Sequence, residues 1–205
     1  MHRRSLLGIP ALLLPTRGRA QHAGHAPGPA ACDGALACAP VATPMFDPAG
    51  ALRLIWSAGG RIWTAAAADA EAPLGAPVAI TPEPAAIDDN GEARPKLLAL
   101  RDGSLLAAWT VRRDQYYNGT LMLARSADGG RSFAPAMPLL APGVSPSQRF
   151  EHLAEGPDGR VWLFWLDKRG LARAGQKPLP GAGLALAVSE NHGRSFGPSR
   201  IVVEN

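Results

Sequence analysis

The feature that most constrains this chain is an octapeptide that occurs twice in register. Ser126-Ala-Asp-Gly-Gly-Arg-Ser-Phe133 follows the apolar stretch Leu121-Met-Leu-Ala124, and Ser189-Glu-Asn-His-Gly-Arg-Ser-Phe196 follows Leu184–Val188. Ser126 and Asp128 have short side chains that can hydrogen-bond backbone N–H groups inside a tight turn. Gly129 and Gly130 can adopt the positive φ that a hairpin tip demands. Phe133 is then placed to fold back onto apolar neighbours. In the second copy Asn191 takes the place of the Asp and can still accept a hydrogen bond. Each octapeptide therefore reads as the self-capped tip of a β-hairpin.

A longer repeat contains these hairpins. Asp47-Pro-Ala-Gly50, Asp102-Gly103 and Asp158-Gly159 each precede an apolar run whose Trp stands 6 residues after the turn glycine, at Trp56, Trp109 and Trp165. Successive tryptophans are 53 and 56 residues apart. Repeats of that length, made of short strands and turn glycines, are the pattern of propeller blades. The abundance of turn formers, Gly 23 and Pro 20, suits an all-β chain. Three units of four strands are expected, over about 41–81, 93–141 and 150–205. Their strands fall at 41–46, 51–56, 61–66 and 77–80; at 95–100, 104–111, 120–125 and 136–140; and at 151–155, 160–166, 184–188 and 200–203. The tryptophans are expected to pack between blades.

The two octapeptides resemble the Asp-box of sialidases and related BNR-repeat proteins. Gly91-Glu-Ala-Arg94-Pro-Lys96 and Gln148-Arg-Phe-Glu-His-Leu153 are similar to segments of exported bacterial proteins of the exo-α-sialidase type. The resemblance spans roughly 42–205. It implies an all-β, partial β-propeller of sialidase type, with three four-stranded antiparallel blades and Asp-box hairpins, equal to an N-terminal half. Missing C-terminal blades, or self-association, would close the ring. For activity it implies a glycoside hydrolase acting on terminal acidic sugars, with arginines on the sugar carboxylate, an Asp as acid/base and a Tyr nucleophile assisted by a Glu. Arg94-Pro95 stands where the family has Arg-Ile-Pro, without the Ile. Arg113 is the candidate second arginine and Asp114 the candidate acid. The third arginine and the Tyr/Glu pair belong to later blades, so this chain alone carries no complete catalytic set.

Blade topology sorts the loops between two rims. The Asp-boxes and Asp-Gly turns share one rim, where Ser126, Asp128, Gly130, Ser132 and Phe133, with Ser189, Asn191, Gly193, Ser195 and Phe196, are structural. The other rim collects longer polar loops: Asp88–Arg94, Arg112–Gly119, Ser147–His152 and Asp167–Lys177. Arg94, Arg113, Arg149 and Glu151 there are candidate substrate-binding residues for an anionic or hydroxylated ligand. Glu151 and His152 are adjacent, so on a regular strand they face opposite ways, and only a bulge would change that. The alternative to a hydrolase is a non-catalytic propeller that binds a glycan or an envelope protein through this rim.

The front of the chain is different in kind. Residues 1–20 carry Arg3, Arg4, Arg17 and Arg19, no acidic residue and a short apolar run, and read as an export signal, either an ordinary secretory one or the twin-arginine type that Arg3-Arg4-Ser-Leu-Leu7 resembles. Localisation is therefore expected to be periplasmic or secreted. Without that segment the 21 basic residues fall by 4 to 17, equal to the 17 acidic ones. The basic pI is thus no sign of nucleic-acid binding. No run is long and apolar enough to span a membrane in the mature chain. Residues 21–40 read as a flexible Ala/Pro/Gly-rich lead-in. It holds both cysteines, Cys32 and Cys38, which either close a small loop or pair with partners elsewhere. His22 and His25 lie close by, but C-x5-C matches no zinc pattern, so no metal is expected. No nucleotide fingerprint or other cofactor motif occurs, and no cofactor is expected.

Overall fold

The computed structural model describes residues 32–116, 118–169 and 181–204. The expected export signal 1–20, His22, His25, Tyr117 and the 170–177 part of the last polar loop lie outside the described residues. Twelve strands form three antiparallel meanders of four. Blade one holds β1 (Ala42–Phe46), β2 (Leu52–Ala58), β3 (Arg61–Ala67) and β4 (Val78–Ala79). Blade two holds β5 (Lys96–Ala99), β6 (Leu105–Arg112), β7 (Gly119–Ser126) and β8 (Met137–Pro138). Blade three holds β9 (Gln148–Glu155), β10 (Val161–Asp167), β11 (Gly183–Ser189) and β12 (Arg200–Val203). Each sheet pairs its strands in chain order, and the whole is a partial β-propeller.

The strands follow the expected bounds closely, with two differences. The fourth strands β4 and β8 are only two residues long. Around β8 the sequence Ala-Pro-Ala-Met-Pro-Leu has two prolines, which cannot donate to a ladder. A short, proline-blunted outer strand also offers little edge to another chain. β9 begins at Gln148, three residues earlier than read from the sequence, because a bulge lets the strand continue past its regular register.

Apolar burial lies between the blades. Ile55 and Ile62 of blade one meet Leu97, Leu105, Ala107 and Trp109 of blade two. Leu106, Ala108 and Leu121 of blade two meet Leu163, Trp165, Ala185 and Ala187 of blade three. Trp56, Trp109 and Trp165 are fully buried, but only the last two take the inter-blade role expected for all three. Truncation of such a residue to Ala typically costs about 3–5 kcal/mol.

Trp56 is buried differently, and here the lead-in must be corrected. Residues 32–39 are not a free tail. Cys32 and Cys38 form a disulfide with Cα atoms 5.5 Å apart, around a single 3₁₀ turn at Leu36–Cys38. Cys38 and Ala39 pack on the cluster of Trp56, Ala58, Trp63 and Ala65. Gly34 has φ 73°, and a Cβ there would come 3.0 Å from the Trp63 ring. Arg61 pairs with Asp33 at 2.9 Å. The reason is apolar area. Blade one presents two tryptophans on its outer face, and covering them is favourable enough to order the preceding segment.

Candidate functional site

The two rims differ in how their polar groups are used. On the Asp-box rim, the Ser126 hydroxyl donates to Asp128 (2.7 Å) and accepts from the Gly130 N–H (2.8 Å). Asp128 also accepts from the Ser132 N–H (3.0 Å) and hydroxyl (2.6 Å). The Ser132 hydrogen bonds hold its carboxyl far below the usual carboxylate range. The second box repeats the contacts, with the one between the side chains of its third and seventh residues reversed in direction. Gly193 N–H donates to Ser189 (2.9 Å), Ser195 N–H to Asn191 (2.9 Å) and the Asn191 amide to Ser195 (2.8 Å). Gly129, Gly130, His192 and Gly193 all take positive φ. Phe133 and Phe196 pack into the first and second inter-blade clusters respectively.

Arginines then lock each box to the preceding blade. Arg53 joins Asp47 of its own blade (3.0 Å) to the Gly129 carbonyl of the next box (3.1 Å). Arg125 joins Asp102 (3.2 Å) to the carbonyl of His192, the equivalent box position (2.8 Å). On this rim the box side chains and two arginines are spent on turns and on latches between blades.

The opposite rim has an open cavity of about 540 Å³. One wall is the loop 88–92, which crosses from blade one to blade two; the other comprises Arg112, Arg149 and Phe150. The loop is held at its start. Ser57 of β2 donates to Asp89 (2.8 Å), and the Asp88 N–H donates to the Thr110 carbonyl of β6 (2.8 Å). Asn90 caps the turn by accepting from the N–H groups of Glu92 (3.0 Å) and Ala93 (2.9 Å). Arg149 reaches across to Asp88 at 2.5 Å, and their side chains are 18% and 1% exposed. Blades two and three and the loop that leads from blade one into blade two therefore line one cavity.

Behind the cavity lies a buried acid. Glu151 is buried against blade two and accepts from the Thr110 hydroxyl at 3.0 Å, while its Oε1 has no hydrogen-bond partner among the described residues. Burial pushes its carboxyl above the usual range, so it tends to hold a proton. Lys96 donates to the Arg94 carbonyl at 2.8 Å. Burial depresses its ammonium.

The structure sorts the expected residues. Arg149 lines the cavity, and Glu151 stands behind it. Arg94 is exposed at the edge, its Nε donating to the Gly91 carbonyl (2.9 Å). Arg113 turns away, donating to the Pro146 carbonyl. Asp114 spends both oxygens within its own loop, on the Tyr116 N–H (2.9 Å), the Asn118 N–H (3.1 Å) and the Asn118 amide (2.8 Å). Its carboxyl is held below the usual range by the Asn118 side chain, and it acts as a turn residue. The acids at the cavity are Asp88, Asp89 and Glu92, and the arginine beside Arg149 is Arg112. Phe150 was not singled out from the sequence. Among the described residues no group of three or more His, Cys, Asp and Glu is arranged to hold a metal ion. Nor is any described helix long and apolar enough to cross a membrane.

A mixed wall of carboxylates and guanidinium groups can accept from and donate to a polyhydroxylated ligand at once. No family model matches the chain, and no curated protein matches it in sequence. Solved structures do. The α-L-arabinanase of Penicillium chrysogenum, complexed with arabinobiose, is similar with a TM-score of 0.53 at 15% identity, over 84% of this chain and 52% of that one. The GH93 α-L-arabinofuranosidase of Fusarium graminearum, also with arabinobiose, gives 0.52 at 12%, over 80% and 48%. An ulvan lyase of polysaccharide lyase family PL25, bound to -[GlcA(1-4)Rha3S]-, gives 0.52 at 12%, over 80% and 40%. The chain thus spans about half or less of the length of these structures. At such identities the likeness is one of fold.

Proposed function

We propose that this chain is the propeller portion of a carbohydrate-active protein and binds a glycan over the cavity formed by residues 88–92, Arg112, Arg149 and Phe150. The observation that carries the reading is the cavity itself. Asp89 and Glu92, which can accept from sugar hydroxyls, share the cavity with Arg112 and Arg149, which can donate to them. On the other rim the box residues Ser126, Asp128, Ser189 and Asn191 are spent on their own turns. The arabinobiose and glucuronyl-rhamnose ligands named for proteins of similar fold support a saccharide over other hydroxylated molecules. The Cys32–Cys38 disulfide supports export, since such bonds persist in oxidising compartments.

A second, finer reading is an exo-α-sialidase-type hydrolase, favoured by the paired Asp-boxes and by Arg94 at the cavity edge. In that reading the catalytic nucleophile comes from outside these residues. Titration of the protein with arabinobiose, xylobiose, a glucuronyl-rhamnose disaccharide and 3′-sialyllactose tests both. Binding of at least one, weakened by Arg112→Ala, is expected. Binding confined to 3′-sialyllactose selects the finer reading, and binding of none overturns the proposal.

A further inference from the structure

Phe150 occupies a backbone conformation that its residue type does not favour. Its φ is 60°, in the left-handed region, and among the described non-glycine residues only His192 shares that feature. His192 sits at a hairpin tip, where a positive φ is expected. Phe150 sits inside a strand. Its neighbours Arg149 and His152 pair with Leu166 and Phe164, so Phe150 and Glu151 together stand opposite Trp165 alone. This is a β-bulge, and its first residue takes a conformation for which glycine is the usual choice.

The bulge changes which way the strand's side chains point. Gln148, Glu151 and Leu153 are all buried, although regular alternation would put Gln148 on the opposite face from the other two. The insertion instead releases Arg149 and Phe150, consecutive residues, to the cavity. A bulky residue at positive φ is held there at an energetic cost. Apolar packing does not offset it, because the ring is half-buried and belongs to none of the three apolar clusters. The Arg149 guanidinium lies 4.5 Å from the ring centroid and fixes its orientation.

We propose that Phe150 is a ligand-contacting residue, whose ring is the apolar platform for the C–H face of a sugar in the cavity, and that the bulge exists to present it beside Arg149. The inference rests on the carbohydrate reading above and adds the residue that selects a pyranose or furanose face over a linear polyol. An aromatic floor under one ring, with charged groups at its margin for the hydroxyls, is the arrangement such a ligand requires.

The test compares the full chain with Phe150→Gly, Phe150→Ala and Phe150→Tyr, by thermal melting and by titration with whichever of the four oligosaccharides binds wild type most tightly. Phe150→Gly is expected to melt within about 2 °C of wild type or above it, because strain relief offsets the lost ring contacts. Its affinity and that of Phe150→Ala should fall at least about tenfold, while Phe150→Tyr stays within about threefold. A Phe150→Gly midpoint more than about 6 °C below wild type marks an ordinary packing residue and overturns the inference. So does wild-type binding that Phe150→Gly retains. If wild type binds none of the oligosaccharides, the carbohydrate reading falls and this inference with it, an outcome distinct from the other two.

Discussion

Replacing Arg149 with Met removes a charged partner, 2.5 Å away, of a carboxylate that water barely reaches. Met preserves most of the side-chain stem over Phe150 and deletes only the guanidinium. Asp88 is then left with the Asn90 amide at 3.1 Å and a side chain 1% exposed. Breaking a buried pair from one side costs about 3–5 kcal/mol. Arg149 is itself partly accessible, so water can enter where the guanidinium was, and the lower end, about 3 kcal/mol, is expected. Asp88→Asn should cost less, about 1 kcal/mol, because the stranded arginine can turn to solvent. The double variant should fall about 2 kcal/mol short of additivity, since neither charge is then left unpaired. Urea unfolding followed by the fluorescence of buried Trp56, Trp109 and Trp165 reads all three, and Arg149→Met should shift the midpoint by about 1–2 M. Additivity within about 0.5 kcal/mol would refute the reasoning: the two side chains would then be neighbours without an energetic link.

Three further expectations concern the scaffold and its pH response. The second box already uses Asn191 where the first has Asp128, so Asp128→Asn should preserve the fold and lose the first box's acid sensitivity, whereas Asp128→Ala should lower the melting midpoint. The sign follows from a depressed carboxyl: its contribution is present above the unfolded value of 3.8 and fades as pH falls below it. If acid melting curves of wild type and Asp128→Asn superimpose, the carboxylate is idle. Glu151 has the opposite sign, because a raised carboxyl supports folding fully below its unfolded value of 4.5 and loses that contribution as pH rises. Glu151→Gln should therefore match wild type near pH 4 and melt higher than it near pH 8, and a constant difference across that range would contradict a buried neutral acid. Within the first box, Gly129→Ala meets open space at φ 72° and should cost about 1 kcal/mol of backbone strain. Gly130→Ala, at φ 93° with its Cβ 2.7 Å from Leu105, should cost about 1–3 kcal/mol more by overpacking. Equal midpoints in denaturant would remove the steric part of that account.

Most of the fold was legible because it is locally encoded, and the site was legible only in part. Arg149 and the 88–92 loop were placed on the correct rim by counting loops from the Asp-boxes. The choice between Arg112 and Arg113 was not. These residues are adjacent, and which one faces the cavity depends on where β6 ends against Gly119 and on the bond from the Arg112 N–H to the Ala86 carbonyl (2.7 Å). Asp114 was attractive by its spacing from Arg113. Its position after a strand, four residues before Asn118, equally suits a self-capping turn, and that local use is what the structure shows. The lead-in looked free because Ala, Pro and Gly carry little apolar area, and the area that orders it belongs to Trp56 and Trp63.

Turn chemistry therefore belongs to the sequence alone. A Ser, an Asp or Asn, glycines and an aromatic within eight positions satisfy one another, and two such tips set the hairpins, the strand bounds and the blade repeat. The tertiary structure decided what depends on partners distant in the chain. Asp88 and Arg149 are 61 residues apart and meet only when blades two and three pack. The bulge at Phe150 reverses the facing of a strand through one extra residue opposite Trp165, and nothing in the local pattern of β9 marks that place. Period-two alternation is readable only while it is unbroken, and the residues that line the cavity are those where it breaks.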